Sequence, residues 1–389
     1  MKQITKKFRH NLKDLDKPLL IITICLFIFG LLNIVTASSS ESVTRYNTSL
    51  YYYFFKQLQM LSIGLVLTVI IINMDTKNYK LPAVCGFIGI ILLLIYLSIA
   101  GSDTRGSRNW LKIFGFTFQP SEFAKPIIIV CLGLLFELFY KKLRNKKINH
   151  RPLIGIILMV GLLIPVIVFL QKDFGTSVIL LGIFGVLFLA SPIYRIEKGK
   201  TIVLLIVLSV IGGGILINQK GYILNDVQMN RFDFYNPCQK YETGGYQICN
   251  GFIALNEGGL FGVGIAKSTQ KYSYIPEPHT DSVFAIIGEE YGLIRCGVIF
   301  LLFIVILKRI LFLAAHTETI RGKYFCLGIA TYIFMHIFIN LGGLFGLIPL
   351  TGVPLPFLSY GGSFTISLIC SLAIVQRVAI ENKNQKIKI

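Results

Sequence analysis

The sequence predicts an all-α, polytopic integral membrane protein with about ten transmembrane helices, and three observations predict it. Hydrophobic residues make up 54% and charged residues only 15% of 389 residues, at a mean hydropathy of +0.69. A soluble chain of that size would expose more apolar surface than it could bury. Apolar runs of roughly 17–25 residues, the length that crosses about 30 Å of hydrocarbon as helix, recur from one end to the other. Lysine and arginine collect between these runs, in alternate loops.

In chain order the spans run Leu19–Ala37, Phe55–Met74, Leu81–Ala100, Ile127–Tyr140, Leu153–Leu170, Thr176–Ala190, Thr201–Ile217, Ser282–Phe312, Phe325–Leu347 and Phe357–Ile380. The fourth and sixth are short and reach across only with tilt or with their apolar flanks. The first follows basic residues, as a signal peptide would, but its apolar stretch exceeds a typical h-region and reads as an uncleaved helix. The chain, 1–389, is thus a single membrane domain with an N-terminal tail (1–18), one long hydrophilic loop between helices seven and eight (218–281) and a C-terminal tail (381–389).

Short basic loops stay on the cytoplasmic side of a membrane. Lys2, Lys6, Lys7, Arg9, Lys13 and Lys17 precede the first span, six basic residues lie between Lys141 and Arg151, and Lys383, Lys386 and Lys388 close the chain. Both termini are therefore expected in the cytoplasm and the long loop outside. The net charge of +19 sits in these juxtamembrane loops, not in one basic patch interleaved with aromatics, so nucleic acid is not an expected partner.

Of the cysteines, Cys25, Cys85, Cys131, Cys296, Cys326 and Cys370 lie in or beside apolar spans as small packing residues. Cys238 and Cys249 occupy the long outer loop, where thiols can be oxidised. They are a disulfide candidate; two unpaired loop thiols remain the alternative, because spacing alone does not establish geometry.

Unusual chemistry concentrates in the loops expected outside. Between helices three and four, Arg105-Gly106-Ser107-Arg108-Asn109-Trp110 is followed by Phe118-Gln119-Pro120-Ser121-Glu122-Phe123-Ala124-Lys125. Glu122 and Lys125, three apart, share a helix face if Pro120-Ser121 opens the fourth helix. They are either a functional acid and base or a capping box with a solvated ion pair. Asp173, before Phe174-Gly175-Thr176, is an acidic helix start of an ordinary kind.

Next, Gly258-Gly259-Leu260-Phe261-Gly262-Val263-Gly264 leads through Lys267 and Lys271 to Pro276-Glu277-Pro278-His279-Thr280-Asp281 and then Gly288-Glu289-Glu290. The glycine-rich stretch suits a re-entrant or amphipathic segment at the interface. Asp281 and Glu289 are expected to share roughly one face of helix eight, and ionisable groups entering hydrocarbon are functional candidates by default. Between helices nine and ten, Pro349 to Ser363 contains Pro349, Gly352, Pro354, Pro356, Gly361 and Gly362. Irregular backbone at membrane depth must line a cavity or be buried in protein.

These blocks, taken together with Asp173 to Thr176, Ile287-Gly288-Glu289-Glu290 and Gly352 to Gly362 including Ser359, resemble the signature of the SEDS family, which holds FtsW, RodA and sporulation homologues. The resemblance runs in order along essentially the whole chain. Pro-Glu-Pro-His-Thr-Asp and Pro-Leu-Pro-Phe-Leu-Ser-Tyr-Gly-Gly are its specific parts. Pro-Glu-Pro-His and Thr36-Ala37-Ser38-Ser39-Ser40 resemble the FtsW branch. Lys172, Asn109 and Ser282-Val283 depart from the usual pattern.

What the resemblance implies is a peptidoglycan glycosyltransferase of the bacterial cytoplasmic (inner) membrane. It would polymerise lipid II on the outer face, in division or in elongation, beside a class B penicillin-binding protein, membrane lipids and other division or elongation proteins. The family's catalytic carboxylate falls on Asp281. The substrate-binding set expected around it is Arg108, Glu122, Lys125, Asp173, Lys267, His279, Thr280, Glu289, Ser359, Gly361 and Gly362.

The chemistry agrees. A sugar hydroxyl attacks an anomeric carbon while a pyrophosphate leaves, which needs a base and positive charge. Arg108, Lys125, Arg105 and Lys267 are the expected cations, with Glu122 holding Lys125. A divalent cation, magnesium or manganese, is compatible with this chemistry, although no recognisable ligand spacing marks a metal site. A single displacement with inversion is expected. A transporter that flips the same lipid also uses intramembrane charges and broken helices, but most spans here have uncharged cores. A lipid-linked sugar ligase or O-antigen polymerase shares the logic without these blocks. The partner surface is expected on helices eight and nine, at Gly328, Gly342 and Gly343, where small residues allow close approach.

Overall fold

The computed structural model describes residues 11–45, 47–101, 109–113, 116–143, 151–218, 234–242, 244–272 and 274–386. Its helices are α1 (Lys17–Ser40), α2 (Tyr52–Asn73), α3 (Lys80–Ala100), α4 (Pro120–Leu143), α5 (Arg151–Leu170), α6 (Phe174–Ala190), α7 (Arg195–Asn218), α8 (Tyr246–Gly258), α9 (Val283–Ala315), α10 (Ile320–Leu344) and α11 (Gly362–Lys386). Eight of them are long and apolar enough to cross a membrane. Helix α6 is apolar but has 17 residues, and α7 takes the place of the seventh expected span.

Burial separates centre from periphery. In the most apolar window of α11, 89% of residues are buried, and in that of α10, 78%. The corresponding share is 22–33% for α1, α2, α3, α5 and α9, whose outward faces are leucine, isoleucine and valine. Such all-round hydrophobicity is what a lipid-facing helix needs. Helix α10 packs on α4, α6 and α9, and α11 lies against α2.

One end of the bundle is fastened by charge. Asp16 caps α1 by accepting from Leu19 N at 3.1 Å and pairs with Arg309 of α9 at 2.6 Å. Arg377 of α11 bonds Asp75 and Glu381, and Arg321 of α10 reaches Glu137 of α4 at 3.0 Å.

Helix α9 is broken at Gly292 (φ 79°). A break strands backbone groups that need partners, and the glycine-rich strap 258–264 supplies them. Val263 N and Gly264 N donate to the carbonyls of Glu289 and Glu290 at 2.9 and 3.1 Å, while Leu293 N and Ile294 N donate to Gly259 O and Leu260 O at 2.9 and 3.3 Å.

Four sequence expectations change. The tenth span starts at Gly362 rather than Phe357, because residues 349–361 form no helix and dip into the bundle instead. Phe357 reaches Phe27 and Phe303 with ring centroids 5.0 and 6.3 Å apart. The expected C-terminal tail from 381 is helical to Lys386. The long loop carries α8, and a short hairpin pairs Leu111–Ile113 (β1) with Phe116–Phe118 (β2) before α4.

Candidate functional site

Asp281 does not lie on α9. The helix begins at Val283 with Ser282 as its N-cap, so Asp281 sits in the turn before it and shares no helical face with Glu289. The turn is shaped by Glu277 in a left-handed conformation (φ 47°), whose carbonyl accepts from Thr280 N at 3.1 Å and from Thr280 Oγ1 at 3.0 Å. Two clamps fix the turn to the re-entrant segment. Tyr360 N donates to His279 O at 2.8 Å. Asn340 of α10 donates from its one amide to Asp281 O at 2.7 Å and Val353 O at 2.8 Å. The Asp281 carboxylate, half-buried, accepts from Gln247 Nε2 and Thr280 Oγ1, each at 3.3 Å. Its Oδ2 faces Gly352 (φ 72°), where a Cβ would sit 3.7 Å away.

The His279 ring is packed against Tyr53 and Tyr360 at 4.2 and 5.5 Å between centroids. Burial pushes its pKa down to about 4, against the opposing pull of Glu277. Glu41 Oε2 lies 3.3 Å from Nδ1, an ion pair only when the imidazole is protonated.

Asp173 borders the same re-entrant segment from α6. It caps that helix, Oδ1 accepting from Thr176 N at 3.2 Å, while Oδ2 accepts from Asn109 Nδ2 at 2.7 Å and Gln119 Nε2 at 2.9 Å. A Cβ on Gly175, two residues along, would lie 2.9 Å from the Thr351 Cβ. The turn that bears Asp281 and the start of α6 that Asp173 caps both border Thr351-Gly352. Gly361 N bonds Gln57 Oε1 at 3.3 Å, Gly362 opens α11, and the Ser359 hydroxyl accepts from Leu355 N at 2.8 Å. These three shape the segment.

Glu122 and Lys125 form neither a capping box nor a solvated pair. They meet at 2.6 Å with side chains 4% and 0% exposed. Lys125 Nζ also lies 3.0 Å from His336 Nε2. His336 Nδ1 faces Pro354 O at 3.1 Å, so Nδ1 carries the ring proton and Nε2 accepts from the ammonium. Lys125 is buried where α4, α10 and the re-entrant segment meet, joined through Glu122 and His336. Glu289 is tied to the chain just beyond the strap. Its carboxylate is fully buried and accepts from Ser268 Oγ at 2.5 Å and Thr269 N at 2.6 Å, next to a buried Glu290–Lys271 pair at 3.0 Å. Lys267 is exposed three residues beyond the strap, while Arg105 and Arg108 lie outside the described residues. Cys238 and Cys249 are joined by a disulfide, Cα atoms 5.0 Å apart. Among the described residues no three His, Cys, Asp or Glu side chains converge as a metal cage.

Gln247, Asn340 and His336 escape the sequence reading. Asn340 and His336 carried a usable signal, as polar residues inside an apolar span; Gln247 carried none.

A family model described as cell cycle protein, for the FtsW, RodA and SpoVE type, matches residues 17–384. The probable peptidoglycan glycosyltransferase FtsW of Bacillus subtilis is 34% identical, covering 97% of this chain and 95% of that protein. Stage V sporulation protein E of the same organism is 32% identical over 94% of this chain and 96% of its own length. Among solved structures, one described as structural coordination of polymerization and crosslinking by a peptidoglycan synthase complex superposes with a TM-score of 0.74 at 21% identity, covering 95% of this chain and 98% of that one. The rod shape determining protein RodA of Thermus thermophilus gives 0.66 at 21% identity, over 94% of this chain and 96% of its own. With the model spanning 17–384 and relatives at this identity aligned nearly end to end, the chain belongs to the FtsW, RodA and SpoVE family of multi-pass membrane proteins.

Proposed function

We propose that the chain is a peptidoglycan glycosyltransferase that polymerises lipid II in cell division, with Asp281 as its general base. One observation carries the reading. The turn that bears Asp281 is clamped by Asn340 and Tyr360 to the re-entrant segment, leaving this carboxylate partly exposed beside Gly352, whereas Glu289 and Glu290 are sealed in the strap. Asp281 takes the proton of the acceptor sugar hydroxyl as its oxygen bonds the anomeric carbon. The bond from that carbon to the pyrophosphate oxygen breaks on the opposite side, so the centre inverts and the lipid diphosphate leaves. Exposed Lys267, with Arg105 and Arg108, supplies positive charge to the leaving group. Gly352 lets backbone approach the reacting groups where a side chain would fill the space.

The site end is assigned to the outer face of the bacterial cytoplasmic membrane. Basic residues and the ion-pair network gather at the other end, and a disulfide suits an oxidising compartment. A class B penicillin-binding protein is the partner that crosslinks the product.

Purified protein given labelled lipid II should build glycan strands, and Asp281→Asn should lower the rate by about 10²–10⁴ while leaving the protein folded. Near wild-type polymerisation by that variant would move the base elsewhere. Transfer of the intact lipid across a vesicle bilayer without polymer would favour the transporter.

A further inference from the structure

Helix α8 begins at a covalent anchor. Cys249, in its first turn, is bonded to Cys238 in the 3-10 turn Pro237–Lys240. The joint is compact. A Cβ on Gly245, the residue before α8, would lie 2.0 Å from Pro237 O, and Gly245 N donates to Lys240 O at 3.1 Å. The rest of α8 presses on α9, where a Cβ on Gly258 would meet Gly288 O at 2.2 Å.

Gln247 stands in the same first turn as the anchor, two residues before Cys249. Its amide Nε2 donates to Asp281 Oδ1 at 3.3 Å and to Ser282 Oγ at 2.9 Å. One side chain thus spans the reacting carboxylate and the N-cap of α9. A single amide bridging two groups of the turn limits rotation of the Asp281 side chain as well as its backbone. Thr280, which also donates to Oδ1, belongs to the turn itself and moves with it. Gln247 comes from a separate element and can hold the carboxylate still.

We propose, on the reading of Asp281 as general base, that Gln247 is a positioning residue for Asp281 and that the Cys238–Cys249 bond holds it in place. Reducing the bond releases the start of α8, withdraws the amide and slows the chemical step while substrate binding persists. Cys238 is exposed and Cys249 buried, so a small dithiol reaches the bond from the Cys238 side. Dithiothreitol delivers two electrons and two protons, leaves two thiols and departs as its cyclic disulfide.

The test compares wild type, Gln247→Leu and Cys238→Ala/Cys249→Ala in the lipid II assay, with and without dithiothreitol. Gln247→Leu and reduced wild type should each lose kcat by on the order of ten- to a hundredfold, the value of a hydrogen bond to a charged group, with KM for lipid II little changed. Reduction should add nothing to Gln247→Leu, since two changes acting through one contact are not additive. Full kcat in Gln247→Leu, or equal slowing of wild type and Gln247→Leu on reduction, would overturn the proposal. Hydrogen exchange reads the same coupling without catalysis. On reduction, amides at 246–250 and 280–283 should both exchange faster in wild type, and faster exchange confined to 246–250 would also overturn it. A wild type that makes no polymer yet shows the coupled exchange would count against the glycosyltransferase reading alone.

Discussion

A neutral imidazole buried beside two tyrosines ties folding to pH through one residue. Folded His279 binds its proton only near pH 4, whereas the unfolded chain does so near 6.5. Stability from this group is therefore whole above pH 6.5 and is lost as the pH falls towards 4. The loss is at most about 3 kcal/mol, less whatever the new ion pair with Glu41 returns. Thermal unfolding between pH 4 and 7 should be flatter for His279→Phe, which keeps the ring between Tyr53 and Tyr360; coincident profiles would rule the effect out. At this scale the sequence was legible where a motif is contiguous. Pro276 to Asp281 could be recognised as a block, and Glu122 and Lys125 meet because they lie three apart on one helix. The partners that give these residues their roles come from distant elements. Gln247, Asn340 and His336 reach Asp281 and Lys125 across 34, 59 and 211 positions, and no local pattern encodes such a meeting.

Elements were legible where hydropathy alone decides them, and less so where backbone geometry does. The strap and α9 show why. The span from Ser282 to Phe312 reads as one helix from its overall hydropathy, yet Gly292 turns the chain, and the strap repairs the break from outside the span. Gly292→Ala should be severe on two counts. Its φ of 79° disfavours any side chain, and a Cβ would come within 2.4 Å of Gly262 N. A loss of more than about 3 kcal/mol is expected, read as a fall in melting temperature in detergent. Gly297→Ala, whose Cβ would meet open space, should leave stability unchanged or raise it. Equal melting temperatures for the two variants would contradict this account of the break. The end of the re-entrant segment is hidden for the same reason, although its irregular backbone was legible. Its apolar residues continue into α11 and extend the hydropathy signal past the true helix start, while the prolines and glycines that deny it helix are the better guide.

For the whole molecule, the sequence settled membrane class and family, but which helix faces lipid depends on packing that it does not display. The partner surface expected at Gly328, Gly342 and Gly343 is internal. A Cβ on Gly328 would strike Ile129 and Leu187, and those on Gly342 and Gly343 would meet Ile348 and Leu350. With 78% of its apolar window buried, α10 offers little surface for docking. Helix α9 offers more. Ile294, Val298, Leu301 and Val305 are all exposed and recur at spacings of four, three and four, so they form one ridge. Beyond the break, at about 1.5 Å per residue, the stretch from Leu293 to Ala315 is still long enough to cross about 30 Å of hydrocarbon. A membrane-anchored transpeptidase docking on this ridge would pack against it by shape, since lipid offers no hydrophobic drive between helices. Photocrosslinkers at Val298, Leu301 and Val305 should capture the co-expressed partner, and those at Leu65, Val66 and Ile70 on the exposed face of α2 should not. The reverse pattern would place the partner on the far side of the bundle and reject α9 as its dock.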